Sequence, residues 1–219
     1  MIVTLDSKRR ITLPGAPILQ SPYFTALRDA RMERATFVRS QQQFFFAVRF
    51  FSRPMAALMS RMPDSASRKM LMHNLAEEHG HEDEGGRFHP AMAHDQTFTT
   101  FLASLGAVPA EVECPAVRAF NLALLGACLC EPPPLAFSCL GIIEYTFADI
   151  SALIGKSVVE RGWVAQSELV HYKLHAEIDK RHAAEFFAAV DATDEPAMNA
   201  GISLGLHIFE RLYTSLLAE

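Results

Sequence analysis

The stretch "HYKLHAEIDKRH", residues 171 to 182, carries three of the chain's nine histidines together with an aspartate. His171, His175, Asp179 and His182 follow one another at steps of four, four and three. At about 100° per residue such steps return close to one side of an α-helix, so these side chains share a stripe. Leu169, Leu174, Ile178, Phe186 and Phe187 provide apolar positions, Ala176, Ala183 and Ala184 favour helix, and no glycine or proline interrupts residues 163 to 188. A helix is predicted. Imidazole nitrogens and carboxylate oxygens on one stripe suit a metal ion, against the plainer reading of a solvated, histidine-rich face. A metal needs more ligands than one helix offers.

Glu144 is the next residue of interest. It sits in "LGIIEYTF", inside the most apolar segment of the chain, where a carboxylate costs several kcal/mol unless it is paired or bound to metal. The alternative is a structural salt bridge, but no basic residue lies in that helix before Lys156. A further cluster lies in "NLAEEHGHEDEGGRFHPAMAH". Glu77 and Glu78 end one helix, and His89 stands directly before Pro90, at the mouth of the next. Glu82, Asp83 and Glu84 read as a solvated acidic loop. His73, His79, His81 and His94 read as surface groups or supports rather than ligands, and His207 as a packed histidine of the core or pocket wall. One carboxylate and one histidine from this cluster, with Glu144 and the His-Asp-His helix, give three carboxylates and three imidazoles. That mixture suits iron or manganese, and helical bundles build dinuclear carboxylate sites in their cores. Paired Glu-x-x-His motifs are missing, so the pattern is not the ferritin-like one.

The elements that would position these residues are helical throughout. "SPYFTALRDARM" opens a short first helix, and "ATFVRSQQQFFFAVRFFSRPMAALMSRM" makes a long second one kinked at Pro54. "PDSASRKMLMHNLAEEHG" is capped by Asp64 and Ser65 and stopped by Gly80. "HPAMAHDQTFTTFLASLG" has Pro90 in its first turn and Gly106 at its end. "AVRAFNLALLGACL" follows, then "PPPLAFSCLGIIEYTFADISALIGK", apolar nearly all round and therefore central. The histidine helix and "EPAMNAGISLGLHIFERLYTSLLAE" close the chain. No strand or repeat is predicted. The expectation is an all-α bundle of about seven to eight helices in a single domain, residues 19–219, after an extended leader over residues 1–18.

At 219 residues, half of them hydrophobic, with sixteen Phe and nine Met, the chain can bury a large core without disulfides. A net charge of −5 gives no basic footprint for nucleic acid. No apolar run is read as membrane-spanning, and the N-terminal segment lacks the order of a secretory signal. Cys114, Cys128, Cys130 and Cys139 form no CxxC pair and read, three of them in apolar surroundings, as buried thiols of a cytoplasmic protein.

Taken together, "NLAEEHG", "HP", Glu144 and "HAEIDKRH" resemble the haem-oxygenase-like di-metal oxidases, a family related to thiaminase II and pyrroloquinoline quinone synthase. The likeness runs from "SPYFTAL" through most of the chain, and includes a branch that associates with death domains and forms para-aminobenzoate from one of its own tyrosines. The resemblance implies metal ligands at Glu78, His89, Glu144, His175, Asp179 and His182, with Glu77 as the alternative to Glu78. It implies two Fe(II) ions, or manganese in place of one or both, acting with O2 on a small amine, amino acid or carboxylate. An external electron donor and a homodimer are also implied, but no membrane. His171, Tyr23, Phe24, Tyr145 and His207 would line the pocket or support ligands. The sacrificed tyrosine of that branch falls on Phe24, with Tyr23 beside it, so self-sacrifice is not expected here. A metal-free thiaminase-like or quinone-synthase-like enzyme and a non-enzymatic interaction protein are the alternatives.

Overall fold

The computed structural model describes residues 2–4, 10–12, 17–82 and 87–218. Among them lie nine α-helices: α1 (Pro22–Arg28), α2 (Arg34–Phe50), α3 (Ser52–Arg61), α4 (Ser65–Glu78), α5 (His94–Ser104), α6 (Pro115–Cys130), α7 (Pro133–Glu160), α8 (Val170–Ala188) and α9 (Glu195–Leu216). The protein is an all-α bundle, as expected. Two short antiparallel pairs were not anticipated. Ile2–Thr4 (β1) pairs with Arg10–Thr12 (β2), and His81–Glu82 (β3) with Arg87–Phe88 (β4). The leader is thus partly a strand pair, while Asp83 and Glu84 of the acidic loop lie outside the described residues.

Helix α7 is the axis of the fold. Two prolines open it, where no hydrogen bond is lost, and every residue from Ala136 to Ala148 is buried. It is long and apolar enough to cross a bilayer, contrary to expectation, but 83% of its most apolar window is buried inside the bundle. Its apolarity therefore has a packing cause. Helices α8 and α9 lie along it, α5 packs on α8, and α2 rests against α5 and α6. The approach of α9 to α7 needs glycine. A Cβ on Gly201 would stand 2.2 Å from the Leu135 carbonyl oxygen, and one on Gly205 2.9 Å from that of Cys139.

The long second helix is divided. Pro54 has no N–H for the carbonyl of Phe50 and crowds it, so α2 ends at Phe50 and α3 begins at Ser52. The capping box at Asp64 is present, its carboxylate accepting from the Ser67 N–H. Cys114, Cys128 and Cys139 are buried and Cys130 is exposed, all as free thiols.

Candidate metal centre

Three helices bring the predicted ligands together. Glu144 enters from the middle of α7, His175, Asp179 and His182 from successive turns of α8, and Glu78 from the last turn of α4. All five are at least nine-tenths buried. One ligand atom each from Glu144, Asp179 and His182 lies within 4.8 Å of the other two, the spacing a metal ion needs. The charged neighbours that act on Glu144 are Asp179, His182 and Glu78. It is held among ligand-type groups.

His94, expected as a surface or supporting group, stands at the cluster. Among the described residues lining the cavity at this cluster are Glu78, His94, Glu144, His171 and His175, and His89 is absent from them. His94 Nδ1 stands 2.9 Å from Glu78 Oε1, and its ring centroid is 4.4 Å from that of His175. The reason is local. The β3–β4 pair and a 3-10 turn at Pro90–Met92 use up the chain after α4, so α5 begins at His94 and not at Pro90. His89 remains before that turn, its backbone N–H donating to the Gly80 carbonyl. His94 lies one helical turn before Phe98 on the buried stripe of α5, a signal present in the sequence.

Glu77 and Glu78 divide the work. Glu77 turns away from the cavity and takes His182 Nε2 at 2.8 Å, with Arg181 on its other oxygen. It fixes the His182 ring so that Nδ1 faces Glu144, at 3.9 Å. His175 is fixed similarly, its Nδ1 lying 2.8 Å from Asp179 Oδ1.

Two further predicted pocket residues stand elsewhere. His207 is exposed, because α9 buries Gly205 and Phe209 and position 207 lies near the opposite side. Tyr145 follows Glu144 by one residue and so leaves the cavity, lying among groups that include Asp149 and Lys180. Tyr23 and Phe24 are fully buried behind the lining, around Tyr213, which stacks on Phe44. Tyr23 shares its hydroxyl with Ser40 and Gln41. His171 does line the cavity. The remaining wall is apolar, with Phe44, Phe120, Phe147, Phe209 and Ile143, and the cavity is narrow, about 40 Å³.

The electrostatics are those of a cation site. Burial, then the nearby Asp179 charge, raises Glu144 to about 7, and burial raises Asp179 well above the usual carboxylate range. Burial works against ionised Glu77, yet its bonds to His182 and Arg181 prevail and bring it to about 2. Burial opposes charge on His182 too, but Glu144 and Glu77 lift it to about 11. Burial and the facing His94 push His175 down to about 3. Burial thus disfavours the ionised form of both acids, Glu144 and Asp179. In addition, Asp179 Oδ2 and His175 Nε2 are buried with no hydrogen-bond partner. Buried donors and acceptors are rarely left so, and oxygen and nitrogen atoms of this kind fit iron. Glu78, His94, His175, Glu144, Asp179 and His182 are the residues that would hold it.

Carboxylates and imidazoles gathered on the central helices of a bundle are the ligand types of metal-dependent proteins. Residues 39–213 match the model of a family described as iron-containing redox enzymes, and the chain belongs to that family. Solved structures share the fold. A CADD-like protein of unknown function from Nostoc punctiforme superposes with a TM-score of 0.74 at 16% identity, over 93% of this chain and 89% of that one. A domain of unknown function with a heme oxygenase-like fold from Shewanella denitrificans gives 0.72 at 16% identity, over 91% and 85%. A TenA homolog from Pseudomonas syringae pv. tomato gives 0.68 at 14%, over 93% and 87%. At these identities the likeness is one of fold. No curated protein matches the chain.

Proposed function

We propose that this protein is a non-haem, dinuclear iron oxidase or oxygenase that uses O2 on a small, largely apolar metabolite bearing an amine, amino-acid or carboxylate group. The observation that carries the reading is the buried cluster of carboxylates and imidazoles, with Asp179 Oδ2 and His175 Nε2 left without partners, facing an apolar cavity. Iron bound there would supply the chemistry side chains lack, the binding and reduction of O2. The chain's own residues do the rest. Glu77 and Asp179 orient the rings of His182 and His175, the phenylalanine wall keeps water out, and the cavity aligns the substrate beside the cluster. An external electron donor would serve where the substrate does not provide every electron.

A metal-free, cysteine-dependent reaction is disfavoured by the thiols. Cys128 and Cys139 are buried in apolar surroundings that push both well up, Cys128 to about 12, and neither lines the cavity. A thiol held protonated is a poor nucleophile. The test is O2 uptake by protein loaded anaerobically with Fe(II) and supplied with reductant. Uptake is expected in the wild type and lost in Glu144→Ala, with helical content unchanged. Equal uptake in both proteins would place the oxidation elsewhere.

A further inference from the structure

His171 is buried completely at the cavity wall and stands outside the six residues that would hold the metal. Its Nδ1 lies 2.9 Å from Thr97 Oγ1. That hydroxyl has one hydrogen, and it is donated to the His94 carbonyl at 3.0 Å, the usual bond of a helical threonine to the preceding turn. Toward His171 the threonine can therefore only accept. That pattern assigns the ring proton to Nδ1, so in the neutral imidazole Nε2 bears a bare lone pair. Nε2 is buried and has no hydrogen-bond partner. Phe98 packs at right angles to the ring, with 4.8 Å between centroids, which holds the ring's orientation.

An acceptor buried without a donor is costly, and this one sits in a cavity whose apolar wall is mostly phenylalanine. We infer that His171 is a substrate-positioning residue: its Nε2, kept bare by Thr97, accepts a hydrogen bond from an N–H or O–H group on a slender, otherwise apolar substrate. The assignment rests on the proposed function for the meaning of "substrate", and it narrows the head groups offered there. Amines and hydroxyl-bearing compounds match this nitrogen, whereas an ionised carboxylate would meet lone pair with lone pair.

The test uses the full chain, metal-free and with zinc as a diamagnetic stand-in for iron, at pH 8. Nitrogen-15 spectra of the histidine rings should show His171 as the Nδ1–H tautomer, and Thr97→Val should disturb that signal while leaving the fold. Binding is then compared for two probes of equal size, 1-butanol and 1-methoxypropane. The alcohol should bind about fivefold more tightly, the worth of one buried hydrogen bond. The preference should vanish in His171→Phe and shrink in Thr97→Val. Equal binding of the two probes, a preference that survives His171→Phe, or an Nε2–H tautomer would overturn the assignment. So would loss of iron in His171→Phe equal to that in His175→Ala, which would make Nε2 a metal ligand. A wild-type protein that binds no iron but prefers the alcohol would defeat the oxidase reading and leave His171 in place.

Discussion

Two histidines five residues apart, His89 and His94, separate what spacing reveals from what only folding reveals. Replacing His94 by alanine should lower iron per chain, because it removes an imidazole that faces Glu78 and His175. His89→Ala should leave the metal content at the wild-type level. Metal analysis of the two variants, with circular dichroism as a control, checks this, and equal losses would contradict the assignment. That His175, Asp179, His182 and Glu144 gather in one buried cluster was legible, because each is placed by the period of its own helix or by the apolarity around it. That His94 faces Glu78 was not, because it lies across a loop whose path depends on a strand pair and a 3-10 turn. The stripe His94, Phe98, Phe101 and Leu102 was the better guide, since those residues are buried together.

The pairing of α7 with α9 places Glu144 at its depth in the bundle, and small residues make that pairing close. Gly201→Ala should destabilise the protein by about 1–3 kcal/mol, the usual cost of forcing extra volume into a packed interior. A Cβ there would stand 2.2 Å from the Leu135 carbonyl oxygen, which is backbone and cannot swing aside. Urea unfolding measures the change; an effect under about 0.5 kcal/mol, typical of surface substitutions, would show the interface to be looser than described. Helix order was readable from periodicity, and the core position of α7 from its being apolar nearly all round. The break at Phe51 was read only as a kink, since proline tells that a helix is disturbed but not how the preceding turn responds. The two strand pairs are too short for alternation to reveal them.

For the whole molecule, the site sets stability against function. Glu144 gives up its proton near pH 7 in the folded chain, against about 4.5 when unfolded. Folding thus favours the protonated form, and the stability it contributes is present below about pH 4.5 and lost as pH rises through about 7. Metal-free Glu144→Gln should therefore be more stable than metal-free wild type at pH 8, and the difference should shrink toward pH 5. Thermal unfolding across that range tests the sign. Iron should reverse the order, stabilising the wild type by binding the folded state alone. The most direct test of the central claim is the iron-to-chain ratio after anaerobic loading with Fe(II), measured on the wild type and on His94→Ala, Glu144→Ala and His182→Ala. About two irons per wild-type chain are expected, as in other bundle-core carboxylate sites, with fewer in each helical variant. A wild-type chain that takes up a single zinc and no iron would contradict the account.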